Sequence, residues 1–240
     1  MIASVPPTLS CEVVVLGAGI VGTACALELA RAGLSVMVVD CGEVGGGATG
    51  AAMGHITVMD DSEAQFALTR YSQQLWRGLR DDLPPEVEWL PCGTVWVAAD
   101  DEEMAEVRRK HKFYSAHKGP TEVLDSLQLA AAEPNLRPGL VGGLLVVEDV
   151  VVNPKAAAVW MMKQAEQLGT VLLRQRVVTF DEAGVTMSNG LRIAAEKIIH
   201  AGGIGTRELI PTLEIFSRKG HLQLTERCPG FVRHQVVELG

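Results

Sequence analysis

The stretch from Val13 to Asp40, VVVLGAGIVGTACALELARAGLSVMVVD, limits what this chain can fold into more than any other. The apolar run Val13, Val14, Val15, Leu16 has the length and β-branched character of a buried strand, and it stops at Gly17. Gly17, Gly19 and Gly22 complete a G-x-G-x-x-G, and a helical segment follows from about Ile20 to Ala32. Gly33 falls where a helix takes its left-handed closing residue. A second apolar run, Leu34 to Val39, ends in Asp40. Strand, tight turn, helix and second strand in register are the opening unit of a dinucleotide-binding α/β domain.

Each residue type in this unit has a physical task. Gly17 permits the turn, Gly19 lets the main chain approach a pyrophosphate, and Gly22 lets helix and strand pack closely. The helix N-terminus offers unpaired N–H groups and the positive end of its dipole to an anion. Asp40 can accept hydrogen bonds from a ribose 2′-OH and would repel an additional phosphate there. The motif alone does not separate NAD from FAD. The following segment, CGEVGGGATGAAMGHITVMDDS, is rich in small residues, where an NAD domain would continue with an ordinary helix and strand. Small residues let the chain pass close to a bulky, extended ligand, which favours FAD.

Bulk properties narrow the field. With 240 residues the chain can bury a full core, in one large domain or two smaller ones. The net charge of -8 argues against nucleic-acid binding, which needs a basic face. Five cysteines, Cys11, Cys25, Cys41, Cys92 and Cys228, form no C-x-x-C pair, so no metal site is expected and reduced thiols in a cytoplasmic setting are. The opening MIASVPPTLS reads as no signal peptide, and no apolar run is long enough to cross a membrane.

Along the remaining chain, Ser62 and Gln65 resemble a capping box opening a helix that runs towards the Pro84-Pro85 stop. Trp89 to Ala98 reads as a strand with a turn at Cys92-Gly93. Asp101 to Lys118 reads as an exposed charged helix, with His111 and His117 solvated. Thr121 to Pro138 reads as short helix and turn, and Leu140 to Glu148 as a strand. Asn153-Pro154 starts a helix to about Leu168. Strands are expected at Val171 to Leu173, Val177 to Phe180, Val185 to Met187, Leu191 to Ile193 and Lys197 to His200, with an Asn189-Gly190 turn. A further strand is expected within Ile215 to Thr225, and Phe231 to Leu239 is strand-like.

The fingerprint with Asp40, GGGATGAAMGH, a strand before VVNP plus helix, IIHAGGIGT and RKGHLQLTE together resemble the D-amino-acid oxidase-like FAD family. That family includes glycine and sarcosine oxidases and D-amino-acid dehydrogenases. The stretch MGHITVMDDSEAQFALTRYS is further similar to subunits of bacterial D-hydroxyproline and opine dehydrogenases. The resemblance implies an α/β fold: a Rossmann-like FAD-binding domain (1–83 and 145–215) with a discontinuous, mainly antiparallel substrate-binding domain (84–144 and 216–240). It implies that Gly17, Gly19 and Gly22, with Ile20 and Val21 between them, lie against the FAD pyrophosphate. Asp40, with Cys41 beside it, would hold the adenosine ribose, and Gly47, Ala48, Thr49 and Gly50 would follow the pyrophosphate and ribityl chain. Val177 or Val178 would meet adenine by its backbone, Ala201-Gly202 would close over the cofactor, and Met53, Gly54 and His55 would pass near the isoalloxazine. Members with a histidine-linked flavin carry that histidine where this chain has about Ala51, so non-covalent FAD is expected.

The implied chemistry is oxidation of a C–N bond in a small amino acid or secondary amine acid (a D-amino acid, glycine, sarcosine or D-hydroxyproline). Hydride passes to flavin N5, and the protein's work is positioning. His55 is a candidate base, against a structural or flavin-edge role. The family carries a further segment beyond the point matching Gly240, including a substrate-carboxylate arginine, so no catalytic substrate-binding residue is named. Two other readings compete: a non-catalytic nucleotide-binding subunit or fragment of a heteromeric dehydrogenase, and an NAD-dependent reductase. Expected partners are a small amino-acid or amine substrate and a hetero-oligomeric or electron-acceptor subunit. Nucleic acid is not expected, and membrane association would be peripheral at most.

Overall fold

The computed structural model describes residues 8–60, 62–218 and 220–239, so the N-terminal reading of residues 1–7 lies outside them. The chain divides into two compact units, 1–52 with 153–222 and 53–152 with 223–240.

The first unit is built on the strand β1 (Thr8–Leu16), which continues through the Gly17 turn into helix α1 (Ile20–Arg31) and strand β2 (Val36–Asp40). A short helix, α2 (Gly47–Gly50), follows β2. The chain returns to this unit with Asn153, whose side chain accepts from Ala156 N at 3.1 Å and caps helix α6 (Pro154–Gln167). Strands β8 (Val171–Arg174), β9 (Val177–Asp181), β10 (Gly184–Met187) and β11 (Arg192–His200) complete a sheet of order β8-β2-β1-β11-β10-β9. β8, β2, β1 and β11 are parallel, while β9, β10 and β11 form an antiparallel meander.

That order places β8 and β9 at opposite ends of the sheet although only Gln175 and Arg176 join them. Three Cα–Cα steps reach about 11 Å, whereas a flat sheet of this order would separate those edges by about 24 Å. The sheet therefore coils, and the β9–β10 ribbon folds back over one face. Val185 and Met187 of the ribbon are buried against Val14, Leu16 and Val39 of the parallel strands. Val13, Val15 and Val38 alternate with these, are also buried and face the other side, as the period of a strand requires. Strands covered on both faces are why VVVL and VMVV read as continuous apolar runs.

The second unit holds β3 (His55–Ile56), α3 (Glu63–Leu79), β4 (Thr94–Ala98), α4 (Asp101–Ala116), β5 (Thr121–Asp125), α5 (Ser126–Ala132), β6 (Gly142–Val146), β7 (Val150–Val151) and β12 (Gln235–Glu238). Its main sheet has the order β12-β4-β6-β5, and β3 pairs with β7. One core packs Phe66 of α3 and Tyr114 of α4 on Leu144 and Val146. On the other side Val95, Val97, Leu124 and Leu129 form a second cluster.

Several sequence expectations are corrected here. By contact the units divide at 52/53, 152/153 and 222/223, where the resemblance implied domain limits at 83/84, 144/145 and 215/216; α3 lies with the second unit, its Phe66 ring edge-on against Phe113 and Tyr114. Trp89 to Gly93 is not strand; only Leu90 makes an isolated bridge, to Val151. Thr121–Asp125 is a strand, since its zipper with β6 outweighs weak local preference. Arg192–His200 is one strand, held through Ala194 and Ala195 by β1. No strand occurs among the described residues of 215–225. Helix α4 is amphipathic, with Met104, Val107 and Tyr114 buried. His111 and His117 are not simply solvated: one meets Thr121 Oγ1 at 2.8 Å, the other Glu63 at 3.0 Å and the Phe113 ring.

Candidate dinucleotide site

The C-terminal ends of β1, β2 and β11 converge on the glycine turn. Leu16 O accepts from Ala201 N at 2.8 Å, and Val39 O accepts from Gly17 N at 2.9 Å, so the turn is stitched to both neighbouring strands. Gly17 has φ +108°, and a Cβ on it would stand 2.4 Å from Ala201 O. A Cβ on Gly22 would stand 1.9 Å from Gly17 O. Neither position has room for any side chain.

Gly19 is different. It has an ordinary φ of -72°, and a Cβ there would meet only the Thr49 hydroxyl, at 3.2 Å. It caps α1 without any side-chain bond of its own; instead Thr49 Oγ1 accepts from Ile20 N at 3.0 Å. Val21, on the same first turn, is exposed. The N-terminus of this twelve-residue helix is partly exposed, with the positive end of its dipole there and no acidic residue in its first turn. A glycine whose only close neighbour is one hydroxyl, at the start of a helix, fits the close approach of an anion to the main chain.

Asp40 closes the arrangement from β2. Its Oδ2 accepts from Ala18 N at 2.6 Å and its Oδ1 from Gly42 N at 2.7 Å. Each carboxylate oxygen retains a lone pair, so a ribose hydroxyl can still be accepted. Gly45 N donates to Ala18 O at 2.8 Å, which wraps the segment after β2 around the turn. Cys41 is exposed beside Asp40. Gly47, Ala48 and Gly50 are exposed around the buried Thr49. Glu43, bonded to Lys155 Nζ at 2.8 Å, is held below the ordinary carboxylate range by that bond first and by the lysine charge second.

The structure therefore brings Gly17, Gly19, Ile20, Val21, Gly22, Asp40, Cys41, Gly47, Ala48, Thr49, Gly50, Ala201 and Gly202 to one end of the parallel strands. Val177 and Val178 stand apart from these contacts on β9, the first packed into the core and the second exposed. Met53, Gly54 and His55 belong to the second unit. There Gly54 O accepts from Val152 N at 3.0 Å, and His55 pairs with Val151. The His55 side chain lies at the surface, yet partial desolvation keeps it below the ordinary histidine pKa.

Sequence reasoning missed Glu43, Lys155 and Arg174, which brace this end of the sheet. No local pattern marks them, because their contacts follow from strand register and helix packing. Among the described residues, no cluster of His, Cys, Asp or Glu could hold a metal ion. Nor is any helix there long and apolar enough to cross a membrane.

Residues 12–238 match the family described as DAO, FAD dependent oxidoreductase. A glycine oxidase from Bacillus licheniformis is 28% identical over 203 residues, covering 80% of this chain and 54% of that protein. Among solved structures, a glycine oxidase from Geobacillus kaustophilus superposes with a TM-score of 0.84 at 22% identity, covering 96% of this chain and 66% of its own. The L-proline dehydrogenase from P.horikoshii gives 0.83 at 21% identity, covering 97% and 65%. The chain thus spans between about half and two thirds of the length of these relatives. At these identities the superpositions establish the fold.

Proposed function

The chain belongs to the DAO family of FAD-dependent oxidoreductases, and from that premise we propose that its first unit holds FAD and that the whole protein oxidises the C–N bond of a small amino acid or secondary amine acid. Glycine, sarcosine, a D-amino acid and D-hydroxyproline are the substrates of choice. The observation that supports this reading is the split among the glycines: Gly17 and Gly22 are sterically obligatory, whereas a Cβ on Gly19 would meet only the Thr49 hydroxyl.

In this proposal Gly19 and Val21 present main-chain N–H groups to the pyrophosphate, beside Ile20, whose N–H is held by Thr49 Oγ1 at 3.0 Å. Asp40 takes the adenosine ribose, beside Cys41. Gly47 to Gly50 run along the pyrophosphate and ribityl chain, with the Thr49 hydroxyl turned to the α1 N-terminus. Val177 or Val178 meets adenine through its backbone, and Ala201-Gly202 closes over the cofactor. Met53, Gly54 and His55 are assigned to the flavin end by the resemblance alone. When bound, FAD supplies the hydride acceptor at its N5. The chain's own residues bind, orient and exclude water, which is where positioning catalysis resides. His55, kept largely neutral by its lowered pKa, can accept a hydrogen bond or a proton at neutral pH. No histidine stands at Ala51, so the flavin is held without a covalent bond.

The test is the absorbance spectrum of the full-length protein as purified, followed during anaerobic titration with glycine, sarcosine, D-proline and D-hydroxyproline. Bleaching of a flavin band by one of them is expected. Flavin that is bound but reduced by no amine would favour a nucleotide-binding subunit, and co-purified NAD would overturn the proposal.

A further inference from the structure

The bracing of the glycine turn extends to a residue that no motif marks. β8 lies parallel to β2 in a register that sets Arg174 beside Asp40. The Arg174 guanidinium donates through Nη1 to the Gly42 carbonyl oxygen. Gly42 N donates to Asp40 Oδ1 at 2.7 Å, and Asp40 Oδ2 accepts from Ala18 N at 2.6 Å within the turn. Arg174, Gly42, Asp40 and Ala18 therefore form one chain of contacts running from the edge strand to the start of α1.

The segment that this chain crosses is held further on, by Glu43 to Lys155 Nζ at 2.8 Å and by Gly45 N to Ala18 O at 2.8 Å, so at Gly42 itself the Arg174 and Asp40 bonds are the anchors. Cys41, Gly42 and Glu43 are exposed, and Gly42 has no side chain with which to anchor itself. An unanchored glycine samples more backbone states than any other residue. Gly42 N is also the group that orients one of the two Asp40 oxygens. Fixing the Gly42 carbonyl from outside therefore fixes the aim of the Asp40 carboxylate.

We propose that Arg174 is a positioning residue for the adenosine end of the bound dinucleotide, acting through Gly42 on Asp40. The inference rests on the FAD reading of the first unit. Arginine suits the task because its charge makes the bond to a carbonyl stronger than a neutral donor would, even at the surface.

The test uses the full-length protein stripped of flavin and titrated with FAD by fluorescence quenching, with ADP as a competitor. Arg174→Ala should raise the FAD Kd about tenfold, the scale of one charge-assisted hydrogen bond. ADP should weaken by the same factor, since the loss lies at the adenosine half. Arg174→Lys, still a cationic donor, should recover most of the affinity, and the melting temperature of the flavin-free variants should stay within about 2 °C of wild type, as for surface substitutions. An unchanged FAD Kd in Arg174→Ala overturns the inference while leaving the FAD reading intact. So does a loss that ADP does not share, or one that follows a collapse in melting temperature and is not rescued by lysine. A wild-type protein that binds no FAD overturns both.

Discussion

Thr94 Oγ1 donates to Asp149 Oδ2 at 2.7 Å, and both side chains are buried in the second unit. Gln73 Nε2 at 3.1 Å and Val58 N at 3.3 Å donate to the other oxygen. One carboxylate thus ties β4, α3 and the segment after β3 together. Burial nevertheless outweighs these bonds and the nearby Arg77, and raises the Asp149 pKa from 3.8 to about 6.

A pH prediction follows from that shift. The folded state holds the Asp149 proton more tightly than the unfolded state does. This contribution is complete below about pH 3.8 and is lost as pH rises through about 6. About two pKa units correspond to roughly 3 kcal/mol. Urea unfolding of wild type and Asp149→Asn across pH 4 to 7 should show the wild-type advantage shrinking as pH rises. A difference between the two that is flat over this range would show that Asp149 titrates normally.

The three motif glycines should fail in different ways. Gly22→Ala places a methyl 1.9 Å from Gly17 O and should cost several kcal/mol, on the order of the larger overpacking penalties. Gly19→Val presses only on the Thr49 hydroxyl, 3.2 Å from the new Cβ, and should cost less stability than Gly22→Ala while FAD occupancy collapses. Circular-dichroism melts read alongside flavin content separate the two, and equal behaviour of both variants would contradict the geometry.

Asp40→Ala removes the acceptor of Ala18 N and Gly42 N as well as a ribose contact. FAD binding should weaken by about 1–3 kcal/mol, the usual loss for charge-assisted hydrogen bonds. Asp40→Asn should recover only part of this, because its amide nitrogen must face one of two N–H donors. Calorimetric titration of the flavin-free proteins would show a fault in this account if Asn proved as good as Asp.

Glu133 should control the docking of β12. Its side chain is fully buried, and Oε1 accepts from Arg233 N at 2.8 Å, His234 N at 2.6 Å and the His234 ring at 2.7 Å. Glu133→Ala strands these donors and should cost about 3 kcal/mol or more. Hydrogen exchange at Val236 and Val237, which pair with β4, should accelerate while exchange in β1 does not. Uniform acceleration throughout the chain would instead mean that the two units unfold together.

What the sequence by itself determined is local. Ser62 and Asn153 cap their helices through bonds three residues away, and Gly190 closes the Asn189 turn at φ +82°. The strand-turn-helix-strand unit from Val13 to Asp40, with its three glycines, is legible for the same reason: neighbours in sequence impose the geometry. Tertiary structure decided whatever depends on register between distant segments. Thr121–Asp125 is a strand because β6 pairs with it, and Arg192–His200 is unbroken because β1 runs beside its whole length. Phe66 assigns α3 to the second unit by the aromatic rings that it finds there. Arg174 reaches Gly42 across 132 positions because β8 stands next to β2, and no property of an arginine in a sequence announces its neighbour. Local preference selects conformations one turn at a time, whereas strand partners are chosen by burying whole faces at once.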